Sequence, residues 1–229
     1  PASSSMSFVV SVGDCLQIGI GSTVVQIGTT GSVPVTVYSS AGVTNLSFTL
    51  AYPTNRFANW TIAASNHVVG TATAQILSSS QAVFNVSAHT GGSLQGSALL
   101  GSISFNALPA PSAFVPLTVA TAAGTKSDQS AVVSIVSHAG RVVVIGAQSL
   151  LEAKLGTGSQ RQVVLYGNPG ASYQLAFSTN LAGTNWLPMW RVPMTNLYKN
   201  FDVGIVALQV FSLAWELFAD PPDLDLCLP

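Results

Sequence analysis

Catalysis requires titratable side chains that converge, and this sequence carries few of them. Its three histidines are His67, His89 and His138. They fall in expected loops or strand ends. None stands in a His-x-x-x-His or His-Glu-x-x-His spacing, which would set two imidazoles on one side of a metal. Serine is abundant, but a serine nucleophile needs a base and an orienting acid, and no Gly-x-Ser-x-Gly elbow occurs. Glu152 and Glu216 are the only glutamates. They alone could form a glutamate pair for glycoside hydrolysis, and they lie in a region that reads as packing architecture. Gly156-Thr157-Gly158 lacks the third glycine and following helix of a phosphate loop and reads as a hairpin turn. Asp220, Asp223 and Asp225 are spaced by Pro221 and Pro222, which favours an extended solvated tail over a cation site. These residues imply a non-enzyme with no metal and no cofactor.

Side chains suited to contact are easier to find. Aromatic faces stack on sugars, and the four tryptophans are Trp60, Trp186, Trp190 and Trp215. Trp60 is flanked by Asn59 and Thr61 and Trp190 precedes Arg191, so these two are the candidates for glycan stacking, while Trp186 reads as core. Three Asn-x-Ser/Thr sequons begin at Asn45, Asn59 and Asn85 and are candidate glycosylation sites. The two cysteines, Cys15 and Cys227, allow three states: one intrachain disulfide, two unrelated thiols, or a bond between subunits. Closing so long a loop would stabilise the fold by roughly 5 kcal/mol in the chain-entropy view.

Such contacts would be made by a surface with little charge. Charged residues are 7% of the 229 residues and the formal net charge is −1, against about 25% charged in an average domain. Charge repulsion between copies is then weak, which promotes association. The seven Lys and Arg are scattered, so nucleic acid, which demands a basic patch, is excluded as a partner. No apolar run reaches the roughly 18 residues of a membrane helix; Val203–Phe218 is interrupted by Gln209, Ser212 and Glu216. The chain opens Pro1-Ala2-Ser3-Ser4-Ser5 without Met, which fits a mature terminus left by signal-peptide removal or a boundary chosen in cloning.

The elements that carry these residues are strands. Period-two alternation puts Leu46, Phe48, Leu50 and Tyr52 on one side and Ser47 and Thr49 on the other. Val33, Val35 and Val37 alternate with Pro34, Thr36 and Tyr38, Ile103 and Phe105 with Ser102, Ser104 and Asn106, and Tyr173, Leu175 and Phe177 with Gln174, Ala176 and Ser178. Gly28-Thr29-Thr30-Gly31, Thr90-Gly91-Gly92-Ser93 and Gly167-Asn168-Pro169-Gly170 are turn clusters. Short strands at such intervals predict an all-β sandwich architecture. Leu150–Leu155 reads as a short helical turn, and Ile205–Phe218 as two short strands in preference to an amphipathic helix. Charge and tryptophan rise after Ser137-His138-Ala139-Gly140, which places a boundary between modules 1–137 and 138–229.

Two resemblances attach to these stretches. Gly31-Ser-Val-Pro-Val-Thr-Val37, Leu46-Ser-Phe-Thr-Leu-Ala-Tyr-Pro53 and Leu100-Gly-Ser-Ile-Ser-Phe-Asn-Ala107 follow one another as in bacterial cohesin-like domains, which the first half resembles. Pro53 stands where that family usually has an acid. The resemblance implies a jelly-roll sandwich and a protein-binding module; cohesins recognise dockerins through a polar sheet face. Tyr173-Gln-Leu-Ala-Phe-Ser-Thr-Asn-Leu181, Trp186 and Pro193-Met-Thr-Asn-Leu197 resemble C-terminal modules of large secreted bacterial surface proteins, similar to immunoglobulin or fibronectin type III sandwiches. There Trp186 would fill the space between sheets.

The leading expectation is a secreted, non-enzymatic structural subunit at the cell surface that forms a homo-oligomer or filament through sheet edges. Ser7, Phe8, Val9, Val10 and Ser11 form an uncharged candidate strand for pairing with a neighbour. The alternative is an adhesion module, cohesin-like or carbohydrate-binding, with a protein or polysaccharide partner.

Overall fold

A computed structural model describes residues 14–64, 68–155, 161–178, 186–203 and 210–215. The sixteen strands include no helix among the described residues. The first ten are β1 (Cys15–Ile20), β2 (Ser22–Gln26), β3 (Thr30–Ala51), β4 (Phe57–Ala64), β5 (Val69–Ser78), β6 (Gln81–Ala88), β7 (Leu94–Ala107), β8 (Ala113–Lys126), β9 (Ser134–His138) and β10 (Gly140–Ile145). The rest are β11 (Leu150–Leu155), β12 (Arg161–Tyr166), β13 (Ser172–Ser178), β14 (Leu187–Pro193), β15 (Tyr198–Val203) and β16 (Val210–Trp215).

One long strand organises the first ten. β3 runs 22 residues and its register breaks between Ser39 and Val43. Its first part pairs with β1 and β7, its last part with β6 and β8. The strand therefore belongs to two layers, β9-β1-β3-β7-β4 and β5-β6-β3-β8. Alternation decides what lies between them. Val33, Val35, Val37, Leu46, Phe48, Leu50, Phe84, Ile103 and Phe105 are all buried in one apolar cluster, as the sequence pattern predicts.

Two paired crossings tie the layers together. β1 runs parallel to β9, and β2 runs parallel to β10. Both chains therefore pass from one strand pair to the next at the same place, and glycines sit there. A Cβ on Gly140 would stand 2.1 Å from the Gly21 carbonyl oxygen, and one on Gly21 would stand 2.5 Å from Pro34 Cγ. Only residues without a side chain allow the backbones so close.

β10 lies just beyond the boundary expected at Ser137/His138. It pairs with β8 and β2, so the sheet of the first ten strands continues to Ile145. The reason lies in Val142-Val143-Val144-Ile145, a continuous apolar run rather than an alternating one. Such a run belongs to a strand covered on both faces. Val142 and Val144 face the first core, whereas Val143 and Ile145 pack with Val164 and Tyr166 in a second cluster. Val143 and Ile145 thus pack the sheet of the first ten strands against β12.

The remaining strands form two three-stranded antiparallel sheets, β11-β12-β15 and β14-β13-β16. Leu150–Leu155, read from sequence as a helical turn, is strand β11. Pairing with β12 along its whole length overrides its local helical preference. The core of this part gathers Leu165, Tyr173, Val192 and Met194. Trp186 was expected to fill it but is only half-buried ahead of β14. Tyr173 takes the place: it is fully buried, and its hydroxyl accepts a hydrogen bond from the Asn168 backbone N–H at 3.0 Å. Gly167 makes room for it, since a Cβ there would lie 2.5 Å from the tyrosine ring.

Candidate recognition surfaces

The sequence places uncharged polar residues at alternate positions of β3, β5, β6 and β8, and pairing lines them up. Across β5-β6-β3-β8 the rows read Thr71–Ser87–Asn45–Thr125, Thr73–Asn85–Ser47–Ala123 and Gln75–Val83–Thr49–Thr121. Cross-strand hydrogen bonds hold the surface in place: Ser87 Oγ donates to Asn45 Oδ1 at 2.8 Å, and Thr121 Oγ1 donates to Thr49 Oγ1 at 3.0 Å. These three rows contain no charged side chain. They form a sheet face dominated by hydroxyl and amide groups, with Val83 and Ala123 among them, able to hydrogen-bond a partner but not to steer one by charge. Its outer margin is β5, whose Val69–Ser78 run contains no charge and no proline. Among the described residues β5 pairs only with β6, so one side of this strand has no ladder partner, although β4 packs close to it.

The sequence-derived site residues are dispersed. Asn45 and Asn85 are exposed on the polar face, and Asn59 is exposed on β4. Trp60 is not available for stacking on a sugar. It is 5% exposed and sits in a cluster with Tyr52, Phe57, Phe84 and Phe105, with ring centroids between 4.8 and 6.2 Å from its own. The cause is a bulge. The β4–β7 register shifts between Ala58 and Thr61, with Asn59 at φ 56°, and the extra residue turns Trp60 inward. No signal in the polar flanks Asn59 and Thr61 reveals this. Trp190 is 42% exposed and stacks on Phe201 at 5.6 Å.

Cys15 opens β1, is half-buried and is free among the described residues. His89 and His138 are exposed on different parts of the first body. Cys227, Ser7–Ser11, His67, Glu216, Gly156–Gly158, Asp220, Asp223 and Asp225 lie outside the described residues, as does the Trp215 side chain. No three His, Cys, Asp or Glu groups gather among the described residues.

Lys126 pairs with Asp14 at 2.5 Å beside β1, and a larger group of interacting charges lies at the junction. Arg141 donates to Glu152 through Nη1 at 2.6 Å and Nη2 at 3.0 Å. The Tyr166 hydroxyl donates to Glu152 Oε2 at 2.7 Å, and Lys154 lies 3.2 Å from the same oxygen. The Arg141 guanidinium also sits 4.9 Å from the Phe114 ring centroid. Burial pushes the Glu152 carboxyl up, but hydrogen bonds from Arg141, Tyr166 and Lys154 outweigh it and hold the group below its ordinary range. Burial, followed by the hydrogen bond to Glu152, pushes the Tyr166 phenol up. Three donors converge on this carboxylate, and the bidentate arginine fixes its orientation.

No family model matches the chain, and no curated protein matches it. Solved structures do. A chain of the Coh-OlpC–Doc435 type I cohesin–dockerin complex from Clostridium thermocellum superposes with a TM-score of 0.50 at 12% identity, over 60% of this chain and 98% of that one. The solution structure of CaCohA2 from Clostridium acetobutylicum gives 0.50 at 15% identity, over 58% of this chain and 92% of that one. A chain of the CaDoc0917–CaCohA2 complex gives 0.50 at 15% identity, covering 56% and 99%. At these identities the likeness is one of fold: all-β, with the cohesin jelly roll over somewhat more than half of the chain.

Proposed function

We propose that this chain is a non-enzymatic, extracellular protein-recognition module. In this reading a cohesin-like sandwich ending at Ile145 carries the recognition surface. An immunoglobulin- or fibronectin-like sandwich formed by β11–β16 serves as a rigid mount clamped to it. The observation that carries the proposal is the charge-free, hydrogen-bonded face of β5-β6-β3-β8. A four-strand surface rich in Thr, Ser, Asn and Gln has the extent and chemistry to dock a second folded protein. Cohesin chains solved with dockerins share the fold of this part of the molecule, so dockerin modules are the first partners to try.

Surface plasmon resonance with a panel of dockerin modules tests this. Binding to at least one module is expected, weakened at least about tenfold by Thr49→Arg, which buries a charge in the centre of the face. Because no charge steers the encounter, raising salt from 50 to 500 mM should leave the association rate nearly unchanged. Binding that survives Thr49→Arg, or that collapses with salt, refutes the face as the docking surface.

A second reading, self-association into a surface assembly, is favoured by the unpaired edge of β5. Charge and proline are the usual guards of such an edge, and Val69–Ser78 has neither. The uncharged segment Ser7–Ser11 of a neighbouring copy would suit it as an added strand. Light scattering tests this: oligomers should dissociate on Thr73→Lys and on removal of residues 1–11. A monomer at millimolar concentration ends this reading.

A further inference from the structure

The opposite layer carries a different kind of surface. On the outer side of β9-β1-β3-β7, pairing aligns Val136–Gln17–Tyr38–Ser97 in one row and His138–Gly19–Thr36–Leu99 in the next. Gly19 leaves a gap in the second row. A Cβ there would stand 2.6 Å from Thr36 Oγ1, so the strand passes Thr36 only because the side chain is missing. The gap opens a shallow trough of about 400 Å3 lined by Gln17, Gly19, Thr36, Tyr38, Leu99 and His138. Tyr38 is 45% exposed and Leu99 42%, which leaves an aromatic face and an aliphatic branch uncovered at its sides. The Gln17 side-chain amide donates to His138 Nε2, which fixes both polar groups at the rim.

We propose that this trough binds a neutral saccharide. Three properties select that ligand class. No charged side chain lines the trough, so an anionic or cationic ligand would find no counter-charge there. The strands beneath it, β1 and β3, each pair on both sides. Their backbone groups are therefore spent, so an extended peptide lying in the trough would gain no backbone pairing there; the edge of β9, which pairs only with β1 among the described residues, lies beside the trough and not in it. What remains is an amide, an imidazole and three hydroxyls (Thr36, Tyr38 and Ser97) around an apolar floor. A pyranose ring has the complementary halves: a C–H face to lie on Tyr38 and Leu99, and hydroxyls to meet Gln17, His138 and Thr36. The trough lies on the face opposite β5-β6-β3-β8, so the proposal stands independently of any protein partner there.

Affinity electrophoresis of the whole chain tests it, in gels containing xylan, hydroxyethyl cellulose or galactomannan, with polygalacturonate as the anionic comparison. Retardation by at least one neutral polysaccharide is expected. Tyr38→Ala should weaken it about tenfold and Tyr38→Ala with Gln17→Ala should abolish it. Thr49→Arg, on the other face, should leave it unchanged. Both trough positions are solvent-facing, and unchanged thermal melting of the variants shows that the fold is intact. No retardation in any neutral gel, retardation only by polygalacturonate, or retardation retained by the double variant overturns the proposal.

Discussion

Glu152→Ala is the substitution that most directly tests whether the two bodies are clamped. The carboxylate receives a bidentate pair from Arg141 at 2.6 and 3.0 Å and a third hydrogen bond from Tyr166 at 2.7 Å. Removing it leaves the Tyr166 hydroxyl without that acceptor on a side chain only 3% exposed, at a cost of about 1–3 kcal/mol. The Arg141 side chain is 36% exposed, so its lost pairing is screened and adds about 1 kcal/mol or less. The expected loss is about 3 kcal/mol, which for a chain of this size lowers Tm by about 6–12 °C in calorimetry. Because the folded-state carboxyl titrates below its ordinary value of 4.5, the clamp's contribution is fully present above pH 4.5. It disappears as pH falls through the lower folded value. The gap between wild type and variant should therefore be constant from pH 6 to 8 and narrow progressively as pH falls below 4.5. A Tm change under about 2 °C at pH 7, or a gap that persists unaltered into acid, refutes the junction described here.

Other consequences can be read with the same instruments. Trp60→Ala removes the ring at the centre of the Tyr52–Phe57–Phe84–Phe105 cluster and should cost about 3–5 kcal/mol in urea unfolding, whereas Trp190→Ala, at an exposed stack, should cost less than about 1 kcal/mol. Gly140→Ala sets a methyl 2.1 Å from the Gly21 carbonyl oxygen. That contact has no flexible side chain to yield, so the variant should lose native near-ultraviolet circular dichroism or fail to accumulate as folded protein. A native-like spectrum and melt for Gly140→Ala would show that the strand crossing tolerates separation.

What the sequence discloses is set by how local the cause is. Inward and outward sides of β3 and β7 follow from period-two alternation, and Leu46, Phe48, Leu50, Ile103 and Phe105 are buried as that pattern requires. The Thr-Ser-Asn rows are half legible in the same way: alternation shows which residues face out, but only register shows that Asn45 stands beside Ser87 and Ser47 beside Asn85. Trp60 is misjudged because a single bulged residue inverts the parity of β4, and nothing local distinguishes Asn59 in a bulge from Asn59 in a regular strand. Strand β10 carries its own signal, four consecutive apolar residues, yet the shift in composition around Ser137–Gly140 draws attention to the wrong side of it. The trough is invisible in sequence, since it depends on Gly19, Tyr38, Leu99 and His138 meeting across four strands.

The scarcity of charge takes on a specific meaning once the positions are known. Lys126 pairs with Asp14, Arg141 and Lys154 pair with Glu152 at the junction, and Arg56 donates to the Pro111 carbonyl at 2.6 Å. Lys199 lies 5.8 Å from the Phe201 ring centroid. These cations are engaged at strand ends, the junction and the second body, and none stands in the aligned rows on either broad face of the first body. A sheet face that docked ligands through charge would need free cations or carboxylates in those rows. A face that relies on hydroxyls, amides and one exposed ring instead demands close geometric fit, because each neutral hydrogen bond contributes only about 1 kcal/mol and falls away steeply with misalignment. Rigid mounting then matters as much as the contacts themselves. The double-sided burial of Val142–Ile145, with the Arg141–Glu152–Tyr166 clamp beside it, holds the first body against the second. Loosening that clamp should therefore cost stability and weaken binding on the first body, although no contact residue is touched.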